Sequence, residues 1–141
     1  MGASTLPRIA ILAGGYSGEA DVSRRSAAMV LANIDRMRFE PYLVHIDTDG
    51  WWAQEEENSP RLSVTRETLG YTNLKGERVE ADLAFVMVHG TPGEDGLLRA
   101  HLELCGIPHT TAGARVMATT FHKGWTTSLL RDSGIPVALS V

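Results

Sequence analysis

Two glycine-rich segments hold the residues whose types and spacing could do chemistry. The first reads Ala13-Gly14-Gly15-Tyr16-Ser17-Gly18-Glu19-Ala20-Asp21-Val22-Ser23. Its glycines permit positive φ and close backbone approach. A carboxylate at Glu19, placed where a helix begins, is stabilised by the helix dipole and stays ionised. It can then receive a ligand's ammonium group through a charge-assisted hydrogen bond. A plainer reading has Glu19, Asp21 and Ser23 only capping the helix, since Asp and Ser are favoured there. A third is a dinucleotide fingerprint, because Ala13-x-Gly15-x-x-Gly18 is a degenerate match to G-x-G-x-x-G and Asp47 follows the next strand. Glu19 counts against it, since a pyrophosphate wants bare N–H groups at a helix N-terminus. No Lys-Ser/Thr follows the glycines, so this is not a Walker A loop.

The second segment reads His89-Gly90-Thr91-Pro92-Gly93-Glu94-Asp95-Gly96. His89 sits where the strand ends, so its imidazole can face the crevice and contact a carboxylate or a developing phosphate charge. Glu94 is placed to hydrogen-bond one ring nitrogen and fix the tautomer. Asp95 is a natural N-cap for a following helix. The bland alternative is a satisfied structural histidine. The glycine density, costly for folding alone, favours a site. His45, His101, His109 and His122 each read as structural.

These loops need a scaffold. Arg8–Ala13, Pro41–Ile46 and Leu83–Val88 read as strands. The first and third are nearly continuous apolar runs, as in a parallel sheet covered on both faces. Ala27, Val30, Leu31 and Ile34 recur at helical spacing, and Leu97, Leu98, Leu102, Leu104 and Cys105 form a second stripe. Strand, glycine-rich loop, helix and strand make a βαβ unit. The expected fold is α/β: a Rossmann-like, open, mostly parallel sheet with helices on both faces, whose loops at the carboxyl edge bind ligands. Residues 47–82 read as a β-hairpin insertion at a sheet edge, from Arg61–Thr65 and Gly70–Leu74 with a Lys75-Gly76 turn. Trp51 and Trp52 read as packing residues, and Glu55–Glu57 as a solvated face. Gly106-Ile107-Pro108 closes a helix and starts a short strand. Helices follow over 112–119 and 121–132, the latter with Trp125, Leu129 and Leu130 on one side. Gly134 and Pro136 stop it, and Val137–Val141 reads as a strand start.

The bulk properties bound the partners. With 141 residues and 43% hydrophobic content, the chain suits about one globular domain. A formal net charge of −4 argues against a nucleic-acid or anionic-membrane surface. The single cysteine, Cys105, leaves no disulfide framework, which fits a cytoplasmic setting. No apolar run approaches the ~18–20 residues of a membrane span. The start Met1–Arg8 has no signal-peptide pattern. Leu6 stands where a myristoylation motif wants Ser or Thr.

Taken together, the two loops resemble the N-terminal domain of the D-alanine–D-alanine ligases. That family carries G-G-x-S-x-E-x-x-V-S after its first strand, matched by Gly14–Ser23, and H-G-x-x-G-E-[DN]-G, matched by His89–Gly96. The stretch from Ala112-Gly113 through Lys123 to Gly134–Val137 is similar to the passage into the central domain of an ATP-grasp ligase. Arg99 departs from the usual Gln, Ser or Ala, and His122 from the usual Asp before the lysine.

The resemblance implies an ATP-dependent ligase of peptidoglycan precursor synthesis. One D-alanine is phosphorylated on its carboxylate, and the amine of a second displaces the phosphate. By motif match, Glu19 would anchor the first ammonium, Val22 and Ser23 would shape that subsite, and His89, oriented by Glu94, would lie by the reacting carboxylate. Lys123 would reach the ATP phosphates. Residues 1–120 would be the N-terminal domain and 121–141 the start of the central one. The remaining domains would hold the Mg2+ ligands, so this piece alone would not ligate. The intact enzyme would be a homodimer. Two alternatives stay open: a non-catalytic Rossmann-like module binding a nucleotide or amino acid, and an ATP-grasp ligase with another second substrate.

Overall fold

The computed structural model describes residues 6–54 and 59–139. In chain order the elements are β1 (Arg8–Gly14), α1 (Ala20–Asn33), β2 (Glu40–Asp47), β3 (Gly50–Ala53), β4 (Leu62–Ser63), β5 (Tyr71–Thr72), β6 (Arg78–Val79), β7 (Leu83–Val86), α2 (Leu97–Leu104), α3 (Ala114–Phe121) and α4 (Lys123–Asp132). The main sheet has the order β4-β3-β2-β1-β7, and β5-β6 form a separate ribbon. β1 pairs in parallel with β2 on one side and β7 on the other. The carboxyl ends of these three strands therefore share one edge, and both glycine-rich loops leave from it.

The continuous apolar run of β1 is explained by cover on both faces. Ile9, Ile11 and Ala13 meet Ala27, Val30, Leu31 and Ile34 of α1. Ala10 and Leu12 point the other way, toward Leu98 and Leu102 of α2 and toward Trp51, Val64 and Leu69. The α1 stripe is the face that packs, whereas of the second stripe only Leu98, Leu102 and Cys105 pack and Leu97 and Leu104 are exposed; the expected architecture of helices on both faces holds.

Residues 47–82 differ from a simple hairpin insertion. β3 and β4 extend the main sheet antiparallel to β2, with Asp47 paired to Gly50 across the two-residue link Thr48-Asp49. Trp51 and Trp52 are strand residues on opposite faces. Trp51 enters the core, while Trp52 stacks on His45 with ring centroids 3.9 Å apart. The Lys75-Gly76 turn is where the sequence placed it, closed by Asn73 Oδ1 accepting from Lys75 N–H and Glu77 N–H at 3.0 and 2.7 Å. The glutamate run falls outside the described residues.

Four further expectations shift. β7 ends at Val86, before Met87 and Val88. The strand expected after Gly106 is a single parallel bridge between Ala84 and His109. The last helix begins at Lys123 because His122 breaks it from α3; His122 Nδ1 accepts from Trp125 N–H at 3.2 Å as an N-cap. Val137–Leu139 form no strand, and residues 140–141 lie outside the described part. Val116, Phe121, Trp125 and Leu129 leave the outer side of α3 and α4 exposed.

A polar cluster fastens α1 to the end of β2. Asp47 accepts from Arg24 Nη2 at 2.7 Å and from Trp52 Nε1 at 2.8 Å. Burial pushes the Asp47 carboxyl up, but the Trp52 and Arg24 hydrogen bonds outweigh it and hold the group below its usual range. Arg61 covers the other side of Trp52 at 4.2 Å, a cation–π contact. Burial holds His45 below its ordinary pKa of 6.5; Asp47 opposes this, and Arg24 and Arg61 add to it. Unfolding exposes a histidine that takes up a proton more readily than the folded one. Stability from His45 is therefore present above about pH 6.5 and lost as pH falls toward its folded value. His45→Phe keeps an aromatic ring against Trp52 and removes that slope. Urea midpoints at pH 7.5 and 5.0 should fall further in the wild type than in the variant; equal falls would refute the assignment.

Candidate functional site

The first loop has little backbone left for a ligand. Gly14 N–H donates to Ser23 Oγ at 2.8 Å, Gly15 N–H to the Ile46 carbonyl at 2.8 Å, and Tyr16 N–H to the Thr91 carbonyl at 2.9 Å. Glu19 N–H donates to Ser17 Oγ at 3.2 Å and Ala20 N–H to the Ser17 carbonyl at 3.3 Å. A pyrophosphate cradle needs such groups free. Asp47, the acidic residue a ribose would want, has both oxygens occupied by Arg24 and Trp52. The dinucleotide reading therefore finds no support in the loop geometry. Gly14 has another purpose: at φ +99°, a Cβ there would sit 2.5 Å from the Ile46 carbonyl oxygen.

The capping reading fails as well. Glu19 is the N-cap of α1, yet its side chain makes no cap hydrogen bond. Asp21 pairs with Arg24 at 2.9 Å. Ser23 is 0% exposed, with its hydroxyl committed inside the protein. This corrects its expected place in the subsite wall. Val22 is 43% exposed on the first turn of α1. Glu19 itself is exposed and reaches across to the second loop, where a Cβ on Gly90 would lie 3.1 Å from Glu19 Oε2 and 2.5 Å from Ser17 Oγ. Gly90 has φ +67°, so space and conformation both require glycine.

Glu94 binds differently from expectation. Its Oε2 accepts from Gly90 N–H at 2.8 Å, so it braces the loop backbone next to His89 and not the imidazole. The residue order explains this: a carboxylate at i+4 in a tight loop reaches the N–H that closes the turn sooner than a ring projecting outward. Asp95 is not the N-cap of α2. Gly96 holds that position at φ +91°, and Asp95 accepts from Leu97 N–H at 3.0 Å and from the Thr91 hydroxyl.

Two clefts adjoin along this edge. His89, Gly93, Glu94, Met87, Thr111 and Met117 line one of about 210 Å³. Glu19, Glu94, Thr120, Phe121 and Lys123 line the other, of about 380 Å³. Glu94 is the wall common to both. Lys123 is exposed at the start of α4 and makes no ion pair among the described residues. The larger cleft thus sets two carboxylates against one ammonium. That arrangement suits a ligand with a cationic end near Glu19 and an anionic end near Lys123. Thr120 and Phe121 were missed because nothing in their types marks them; their signal is the place just before Lys123. Among the described residues, no three His, Cys, Asp or Glu side chains group to hold a metal ion.

Comparison with known proteins decides the class. A family profile described as "D-ala D-ala ligase N-terminus" matches residues 8–112. The chain belongs to the D-alanine–D-alanine ligase family. It is 35% identical over 136 residues to the D-alanine–D-alanine ligase of Azobacteroides pseudotrichonymphae, covering 96% of this chain and 41% of that one. It is 38% identical over 135 residues to the ligase of Porphyromonas gingivalis, covering 96% and 40%. The D-alanine-D-alanine ligase structure from Coxiella burnetii matches with a TM-score of 0.80 at 30% identity, over 94% of this chain and 44% of that one. The VanG D-Ala:D-Ser ligase of Enterococcus faecalis also matches, with a TM-score of 0.80 at 28% identity, over 97% and 45%. The chain thus spans about two fifths of the curated relatives' length.

Gly90→Ala tests the convergence of the loops. Left-handed strain of about 1–2 kcal/mol and contact with Ser17 should lower the unfolding free energy by about that much, with a lower denaturation midpoint, and part the loops. A wild-type midpoint, with Ser17 and Glu19 unmoved in a crystal structure, would show that the loops do not need this close approach.

Proposed function

We propose that the protein performs ATP-dependent ligation of two D-alanines to D-alanyl-D-alanine, supplying the dipeptide for peptidoglycan precursors. Family membership supports the reaction class. The observation that carries the site is the Glu19 carboxylate: uncapped, exposed, and reaching the loop that holds His89. In this reading Glu19 takes the ammonium of the first D-alanine, Val22 borders it, and His89 lies by the reacting carboxylate. Lys123 meets the phosphates of ATP as a point charge. ATP supplies the phosphoryl group that makes the first carboxylate an acyl phosphate, which the second amine attacks with loss of phosphate. The residues of this chain orient and screen charge, most of what phosphoryl transfer asks of its protein.

Among the described residues no three His, Cys, Asp or Glu side chains group to hold a metal ion; in this proposal the Mg2+ ligands come from the further length that the relatives have. Residues 1–120 form the substrate-binding domain in this proposal, and 121–141 enter the central domain. The intact enzyme is proposed to be a cytoplasmic homodimer, with no nucleic-acid or membrane partner. Among the described residues, no helix is long and apolar enough to cross a bilayer. The alternative of a different second substrate keeps one supporting observation: a D-Ala:D-Ser ligase matches this chain as well as a D-alanine–D-alanine ligase does.

Three measurements test the reading. In the intact enzyme, Glu19→Gln removes a charge-assisted hydrogen bond of about 1.5–3 kcal/mol, and should raise KM for the first D-alanine about tenfold or more with KM for ATP little changed. Lys123→Ala should do the converse. An unchanged KM for D-alanine in Glu19→Gln would sink the anchor. The 141-residue piece alone should release no phosphate from ATP in the presence of D-alanine.

A further inference from the structure

The hydroxyl of Ser23 stands where a backbone rung of the sheet should be. β1 and β7 pair in parallel up to Leu12 and Val86, and Met87 N–H still donates to the Leu12 carbonyl at 2.9 Å. In a parallel ladder, the residue that donates to position i accepts, through its own carbonyl, from the N–H of position i+2. The next rung is therefore Gly14 N–H to the Met87 carbonyl. It is not formed directly. Ser23 Oγ lies between, accepting from Gly14 N–H at 2.8 Å and donating to the Met87 carbonyl at 2.7 Å. The side chain is fully buried and lines neither cleft. A hydroxyl can serve as donor and acceptor at once, which is what the position demands.

The effect is a wedge one atom thick. It holds β1 and the β7 extension apart where they turn into the two loops, two hydrogen-bond lengths separating groups that one would otherwise join. A second hydroxyl repeats the pattern further out: Ser17 Oγ accepts from Glu19 N–H and donates to the His89 carbonyl, each at 3.2 Å. In both bridges an amide of the first loop is tied to a carbonyl of the second. The outer bridge ends on the backbone of the two residues whose side chains face the clefts.

We propose that Ser23 is a positioning residue: its inserted hydroxyl, with Ser17 as the outer tie, sets the separation of the two loops and hence the span between Glu19 and His89. For its functional readout this rests on the assignment of Glu19 as ammonium anchor; the geometric part stands without it. Loss of the hydroxyl leaves the buried Gly14 N–H and the half-buried Met87 carbonyl without their partner, and closure into a direct rung would pair them again. A displacement of about 1 Å at a reacting site costs about 10²-fold in rate.

The test uses the intact protein carrying Ser23→Ala, Ser23→Thr or Ser17→Ala. Crystal structures give the Gly14–Met87 and Glu19–His89 separations, and titration calorimetry gives D-alanine affinity. Ser23→Ala should bring Gly14 N into direct bonding distance of the Met87 oxygen, shift Glu19 relative to His89, and weaken D-alanine binding about tenfold or more, with KM for ATP unchanged. Ser23→Thr keeps the hydroxyl and should restore the wild-type separation and most of the affinity, which a loss of mere side-chain volume would not predict. If Ser23→Ala does not fold, Ser17→Ala, on the half-buried outer tie, should show the same selective loss of D-alanine. Unchanged separations, or wild-type affinity in both alanine variants, would overturn the proposal. If the wild type itself fails to bind D-alanine, the anchor assignment falls alone, and the separations still decide the role of Ser23.

Discussion

The structure depends on one strand being apolar on both sides. β1 is buried from Ile9 to Gly14 because α1 covers one face and α2 with the β3–β5 region covers the other. Its neighbours on each side are parallel, the pairing usual for a strand covered on both faces. Parallel neighbours in turn bring the loops that follow β1, β2 and β7 out at the same edge, so the loop carrying Glu19 and the loop carrying His89 meet although 70 residues separate those two residues in sequence. The chemistry follows from strand direction more than from any local motif.

The charges at this edge are sorted by whether the protein has already used them. Asp47 and Arg24 satisfy each other and Trp52, Asp21 shares Arg24, and Asp95 serves the turn before α2. Glu19 and Lys123 are left facing a cleft without an ion-pair partner among the described residues. Glu94 lies between the two cases, one oxygen holding the Gly90 N–H while the side chain still borders both clefts. An electrostatic site emerges by subtraction: the groups available to a ligand are those that folding did not consume.

Much of this was legible in the residues. The β1 and β7 runs, the α1 stripe and the two loops could be placed because their patterns have one period each. Other features depended on contacts that no local pattern encodes. Trp51 and Trp52 form a strand because Val64 and His45 wait on opposite faces to receive them. The split between α3 and α4 comes from His122 capping a helix, a role its residue type does not advertise. Ser23 looked like a helix-start residue by type, and the family motif put it in the subsite. Its true partners, Gly14 N–H and the Met87 carbonyl, are visible only once β1 and β7 are side by side. The direction of Glu94 was unreadable for a similar reason, since a loop's own N–H competes with the imidazole for one carboxylate.

The common wall between the clefts has a thermodynamic implication. An occupant that draws Glu94 Oε2 away from Gly90 N–H alters the backbone from which His89 projects. The two chambers are then energetically linked, and the linkage is reciprocal: whatever filling the first does to affinity in the second, filling the second does in equal measure to the first. Order of arrival leaves that coupling unchanged, because free energy depends only on the end states.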